Sequence, residues 1–310
     1  MVERLNDAVL VRLERGGVLE SHHSGHLILL NPDGSVAFSL GDPNALVYPR
    51  SSIKGIQAAA MVRSGLELEP RLLALVAASH SGSEIHQRAA REILSLGGLS
   101  ESALRNALDK PLGEEERRAW ADKPATSLAQ NCSGKHAGML LTCVVNGWTT
   151  EDYLSPTHPL QVVIRSELET LGAESISTIS VDGCGAPLFL VSLKALVTGI
   201  RALTVSQNPV HKKVIDACKE FPEMVAGEGR STTRLMRQVE GLFLKEGAEG
   251  VGVGSLPDGR TFAFKVSDGS SRPYSLIVSS CLKRLGALEN EETTPIFGGN
   301  EVVGMLKANF

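Results

Sequence analysis

Apolar residues in short or alternating runs at 8–13, 26–30 and 36–40, with the turn Asn31-Pro32-Asp33-Gly34 between the last two, predict antiparallel strands at the start of the chain. From Ser51 the period changes. IKGIQAAAMVRSG, RLLALVAAS and EIHQRAAREILSLGG carry helical spacing, with Gly65 and Gly97 as stops. KHAGMLLTCVVNG, HPLQVVIRSELETLG and TTRLMRQVEGLFLKEG read as further helices, with a short strand at 177–181 and His158-Pro159 as a helix start. Sheet returns at 250–254 and 261–266 around Pro257-Asp258-Gly259, and RPYSLIVSSCLKRLGAL closes the chain as an amphipathic helix.

Strands at both ends with helices between them predict an α+β fold: an antiparallel sheet built from N- and C-terminal strands, covered by helices, with a mainly helical middle. The expected organisation is one domain over 1–310 with a helical subregion at about 66–175. No glycine-rich dinucleotide turn follows a strand and no Walker sequence is present, so no nucleotide cofactor is expected.

With 31 Lys plus Arg against 35 Asp plus Glu, and no basic block, the chain gives no footprint for nucleic acid. No apolar run approaches the roughly 20 residues of a membrane-spanning helix. The opening MVERLNDAVLVRLERGG lacks the pattern of a signal peptide, and five scattered cysteines do not suggest a disulfide framework. The expectation is a cytoplasmic protein in which Cys143, Cys218 and Cys281 are small core residues.

Three segments could carry chemistry. Ser51-Ser52-Ile53-Lys54 opens a helix and sets a hydroxyl one turn from an amine, the spacing of a Ser-Lys nucleophile and base, although a cap serine and a solvated lysine give the same letters. A later lysine, Lys265 in FKVSDG, ends a predicted strand before a glycine turn and partly parallels the KTG element of penicillin-binding proteins and β-lactamases. The loop Ala78-Ser79-His80-Ser81-Gly82-Ser83 offers hydroxyls between two helices, for a ligand or for a cap. Cys132, in NCSGKH, and Cys184, in DGCG, sit in glycine-containing turns and suit a metal or a redox pair, but no CxxC or HxxxH spacing supplies further ligands. The histidines of ESHHSGH read as surface decoration.

Taken in order, RSSIKGIQ, ASHSGSEIHQRAA, NCSGKHAGML, THPLQ, DGCGAPLF, EMVAGEGR and FKVSDG resemble the rhizobial-type L-asparaginases, the asparaginase II family, from about Glu20 to Gly269. This family is distinct from the bacterial asparaginases that use threonine nucleophiles. The resemblance implies a fold similar to serine β-lactamases and the related glutaminases, hydrolysis of L-asparagine to L-aspartate and ammonia by a Ser-Lys mechanism, and a homodimer. It gives Ser51 and Lys54 the SxxK role, Ser79 that of a second active-site serine and Lys265 that of a second lysine. It also implies zinc on Cys132, Cys184 and Lys135, with Asp182 beside one ligand. Substrate recognition needs a cation for the α-carboxylate and an acid for the α-ammonium, and Arg230 and Asp182 are the choices made from sequence. The competing readings are a glutaminase or β-lactam-reactive hydrolase of the same fold, and a non-catalytic amino-acid or zinc-binding protein.

Overall fold

The computed structural model describes residues 6–310, so the first five residues of the opening segment lie outside the described residues. Strands β1 (Ala8–Arg15), β2 (Val18–Leu30), β3 (Val36–Leu40) and β4 (Leu46–Val47) lead through a 3₁₀ turn, Arg50–Ile53, into helix α1 (Lys54–Arg63). The helical middle holds α2 (Pro70–Val76), α3 (Glu84–Leu96), α4 (Glu114–Trp120), α5 (Ser133–Asn146) and α6 (Pro159–Gly172). Short strands β5 (Ile179–Val181), β6 (Pro187–Phe189) and β7 (Val191–Ser192) precede α7 (Leu193–Val205), α8 (Pro209–Glu220), α9 (Pro222–Val225) and α10 (Ser231–Gln238). The chain returns to sheet in β8 (Phe243–Gly247), β9 (Val251–Ser255) and β10 (Thr261–Val266), crosses in α11 (Tyr274–Arg284), and finishes with β11 (Thr293–Gly298) and β12 (Glu301–Ala308).

The main sheet has the order β11-β12-β1-β2-β10-β9-β8, with β3 also paired to β2 and every pairing antiparallel. N-terminal and C-terminal strands therefore meet at β2–β10, as the strand pattern at the two ends predicts. Alternation along each strand divides the core into two layers. Ile28, Leu30, Val253 and Ala263 pack with the helical middle, whereas Leu27, Leu29, Phe262 and Phe264 pack with Leu276, Ile277 and Cys281 of α11. Gly252 and Gly254 on β9 leave room for the Phe264 and Phe262 rings, which would stand 2.3 and 2.4 Å from an added Cβ.

Two segments depart from the sequence expectation. TTRLMRQVEGLFLKEG is not one helix: α10 ends at Gln238, Gly241 takes φ +71, and Phe243–Gly247 becomes edge strand β8. The physical reason is two-sided burial, with Phe243 in one core layer and Leu244 in the other, so that the apolar run imitates a helix face. Nor does α11 close the chain. The hairpin β11–β12 follows it and seals the β1 edge; its residues are mostly exposed, which leaves little apolar alternation to read. The ESHHSGH segment is also corrected in part: His26 is buried, with its Nδ1 accepting from the Asp42 N–H at 3.0 Å. Cys143, Cys218 and Cys281 are buried as expected, and the His158 side chain caps α6 by accepting from the Leu160 N–H. Among the described residues no helix is long and apolar enough to cross a membrane.

Helix α5 lies against α2 at glycines. A Cβ on Gly134 would stand 2.4 Å from Leu75 Cγ and 2.6 Å from the Leu75 carbonyl oxygen, and one on Gly138 would stand 2.7 Å from Val76 Cγ2. In an open helix Gly→Ala stabilises by up to about 1 kcal/mol. Here backbone blocks the methyl, so Gly134→Ala is expected to lower stability by about 1–3 kcal/mol, read as a lower urea midpoint at unchanged slope. A midpoint at or above wild type would show that the two helices are free to separate.

Candidate active site

Pro49 and the 3₁₀ turn deliver Ser51 to the end of α1, and Arg50 just before it takes φ +53, a left-handed conformation that costs a non-glycine residue on the order of 1 kcal/mol or more. Arg50 is held there by its Nε donating to Asp182 Oδ1 at 2.6 Å, which ties this turn to the loop carrying Cys184. Ser51 is half-buried, and its hydroxyl makes no hydrogen bond among the described residues. It lines a cavity of about 460 Å³ together with Ser79, Asn131, Arg230, Glu246 and Tyr274.

Lys54 is 1% exposed and does not reach back to Ser51 as its spacing predicts. Its ammonium donates to the Ala78 carbonyl, to Ser79 Oγ at 3.2 Å and to Cys132 Sγ at 3.1 Å. Ala78 lies just past the carbonyl end of α2, where a cation is favoured. The loop that follows is pinned to the end of α9 and the residue beyond it by Ser79 N–H to Val225 O at 2.9 Å and Ser81 N–H to Ala226 O at 2.7 Å. Ser79 Oγ is thereby fixed.

On its other side Ser79 Oγ meets a lysine that sequence reasoning missed. Lys245 of β8, 1% exposed, lies with its Nζ 2.9 Å from Ser79 Oγ and 2.7 Å from the Glu246 carbonyl. Burial first, and then the nearby positive charge of Lys54, pull the Lys245 pKa down to about 7. Lys54, Ser79 and Lys245 thus form a continuous amine–hydroxyl–amine array opening on the cavity that Ser51 lines. Lys245 escaped notice because it was read as part of a helix. The available signal was Lys245-Glu246-Gly247, a lysine near the end of an apolar run and followed by glycine, the feature that drew attention to Lys265.

Lys265 is a correction. It lines a separate cavity of about 640 Å³ with Arg50 and Glu249, and its Nζ donates to the Val266 carbonyl at 2.9 Å and to the Glu249 carbonyl. The register explains the difference: Lys265 pairs with Val251, which pairs with Gly247, whereas Lys245 pairs with Val253. Lys265 is therefore two strands across, about 10 Å, and two residues along from Lys245. Asp182 is also placed differently from its choice as substrate acid. It is paired with Arg50 and does not line the cavity of Ser51, whereas Arg230 does, in an ion pair with Glu246. Burial would raise the Asp182 carboxyl pKa, but Lys135 and Arg50 outweigh it and hold the group below its usual range.

Cys132, Cys184 and Lys135 do come together. All three are buried, and Lys135 Nζ donates to Cys184 Sγ at 3.2 Å. The Cys132 thiol donates to Asn131 Oδ1 at 2.9 Å; the neighbouring Cys184 sulfur pushes Cys132 up to about 12 with burial adding to it, while Cys132 and the Lys135 charge bring Cys184 down to about 5 against burial. Burial opposes the Lys135 ammonium, yet the charges of Cys184, Cys132 and Asp182 prevail and raise its pKa. Among the described residues no three His, Cys, Asp or Glu side chains converge on one ion position, and Lys135 is the side chain that stands beside Cys184 as a further donor. Two thiolates and one amine are a donor set that suits zinc, and these residues fit it.

A family profile described as L-asparaginase II matches residues 11–304 of the chain. No curated protein matches it. Among solved structures, Mglu is 15% identical with a TM-score of 0.39, the match covering 86% of this chain and 69% of that one. Mglu in its native form is 17% identical at a TM-score of 0.41, covering 85% and 65%. A beta-lactamase from Mycobacterium bovis is 13% identical at 0.40, covering 85% and 95%. Structural likeness of that degree carries no weight here, and the assignment rests on the profile. Matched from β1 to β12 and carrying a buried serine between two lysines, the chain belongs to the L-asparaginase II family of amidohydrolases.

Proposed function

We propose that the protein is an L-asparaginase that hydrolyses L-asparagine to L-aspartate and ammonia through a serine ester. The observation that carries this reading is Ser79 Oγ held between Lys54 at 3.2 Å and Lys245 at 2.9 Å, beside the open hydroxyl of Ser51. A lysine is a base only when neutral, and Lys245, at about 7, is the amine that meets this condition near neutrality.

In this mechanism Ser51 Oγ attacks the side-chain amide carbon, and its proton passes by way of Ser79, which lines the same cavity, to Lys245. Lys54, whose amine is engaged by Ala78, Ser79 and Cys132, holds Ser79 Oγ in place for that transfer. Return of the proton to the amide nitrogen breaks the C–N bond and releases ammonia, leaving a Ser51 ester. Water then attacks the ester with the array again taking the proton, and aspartate leaves. Ser51 is preferred as acyl carrier because its hydroxyl is open to the cavity, whereas Ser79 is 4% exposed and engaged by both amines. The direct Lys245–Ser79 contact favours a second reading in which Ser79 carries the acyl group itself. Zinc, on Cys132, Cys184 and Lys135, would supply fixed positive charge and would clamp the two cysteine loops behind Lys54.

Ser51→Ala is expected to lower kcat for ammonia release by about 10³-fold or more, with the wild-type ester mapping to Ser51 in acid-quenched digests. Mapping to Ser79 would exchange the two roles, and wild-type turnover of neither asparagine nor glutamine would remove the asparaginase reading altogether.

Because the base works deprotonated, kcat/KM is expected to rise with pH through about 7 and level above it. Lys245→Met should abolish that limb and cost about 10²–10⁴-fold. A limb that survives the substitution would assign the titration to another group.

Zinc is expected in equimolar amount by metal analysis of the purified protein, and to be lost in Cys184→Ala. Equal metal content in both proteins would place any zinc elsewhere.

A further inference from the structure

The cavity beside Ser51 is also lined by charged side chains that the hydrolytic chemistry does not use. Arg230, at the start of α10, and Glu246, next to Lys245 on β8, both line it and form an ion pair through Arg230 Nη2 and Glu246 Oε1. Thr232 donates to the other Glu246 oxygen at 3.4 Å, a long contact. Neither charge is spent by this pairing, since a carboxylate offers about four acceptor positions and a guanidinium five N–H donors. Their side chains keep 23% and 18% exposure, facing the cavity they line.

Tyr274, at the first turn of α11, lines the same cavity. It is 8% exposed, and its hydroxyl is buried without completing a hydrogen bond in the protein, although Thr232 lies near enough to ease its ionisation. A buried hydroxyl left without a partner costs on the order of 1–3 kcal/mol, so its retention here points to a ligand that completes the bond. Burial and the Glu246 charge both raise its pKa, which keeps it a neutral donor.

Resting on the asparaginase reading, we propose that Arg230, Glu246 and Tyr274 form the head-group subsite that selects a free α-amino acid, with Glu246 taking the α-ammonium, Arg230 the α-carboxylate and Tyr274 donating to that carboxylate. The ion pair sets one positive and one negative charge side by side, and a zwitterion lies across it with each charge opposite its complement. A plain carboxylate or a plain amine leaves one protein charge uncompensated against its like. The assignment replaces Asp182, whose carboxylate is engaged by Arg50 outside this cavity. It also explains how one pocket would reject peptides and N-acylated asparagine: either substrate loses the ammonium that Glu246 receives.

The test compares kcat/KM for L-asparagine with that for succinamate, which is asparagine without its α-ammonium. Assays run well above the Lys245 pKa, where the base is deprotonated in every variant. Wild type is expected to prefer asparagine by roughly 10- to 100-fold, the range of one charge-assisted hydrogen bond, and Glu246→Gln to collapse that preference toward unity. An unchanged preference in a folded Glu246→Gln protein overturns the proposal. Tyr274→Phe, which keeps the ring and removes only the hydroxyl, should raise KM for asparagine about tenfold, and an unchanged KM removes Tyr274 from the subsite. Should wild type hydrolyse no amide, the asparaginase reading fails separately, and the subsite is then judged by L-aspartate. A rise in wild-type Tm that Glu246→Gln abolishes supports it, and no rise in wild type overturns it.

Discussion

Two lysine side chains buried around a single serine hydroxyl are the constraint that organises this molecule. A lone ammonium at 1% exposure is unfavourable, and two within reach of one oxygen are more so. The structure resolves the conflict by treating the two amines differently. Lys54 receives the carbonyl beyond α2 and the Cys132 sulfur, whereas Lys245 is driven toward neutrality by burial and by Lys54 itself. One array then holds two amines in unlike settings, on the two sides of one hydroxyl.

The scaffold serves that array by bringing together four distant segments. Helix α1 supplies Lys54, the loop beyond α2 supplies Ser79, the turn before α5 supplies Cys132, and edge strand β8 supplies Lys245. Close approach of α2 and α5 at Gly134 and Gly138 sets the second and third of these against each other. The sheet sets the fourth, because pairing Lys245 with Val253 fixes how far along β8 the amine lies. A strained Arg50, paired with Asp182, connects the Ser51 turn to the Cys184 loop, so the lysine–serine array and the sulfur pair share one set of supports.

The sulfur pair shows the same economy of charge. Lys135 donates to Cys184, whose pKa is brought down, while Cys132 is held up and donates to Asn131 Oδ1, so charge in this buried group is set between Cys184 and Lys135. The same groups, once deprotonated, are the donors that a zinc ion requires.

The α+β layout, the strands that begin the chain, the β9–β10 hairpin and most helices of the middle were legible in the sequence, because one-sided burial imprints a period of two or 3.6 on the residues. The segments RSSIKGIQ, NCSGKHAGML and DGCGAPLF likewise identified Ser51, Lys54, Cys132, Lys135 and Cys184 as residues to watch. Two-sided burial erased the period in FLKEG, so β8 was read as helix and Lys245 drew no attention. The second lysine was sought instead at Lys265 on β10, two strands across. The partner of Lys54, the pairing of Arg230 with Glu246 rather than a choice of Asp182, and the buried Tyr274 hydroxyl were likewise decided by tertiary structure alone. Each depends on the register of strands and the packing of loops far apart in sequence, and local patterning records which face of an element is buried but not what it is buried against.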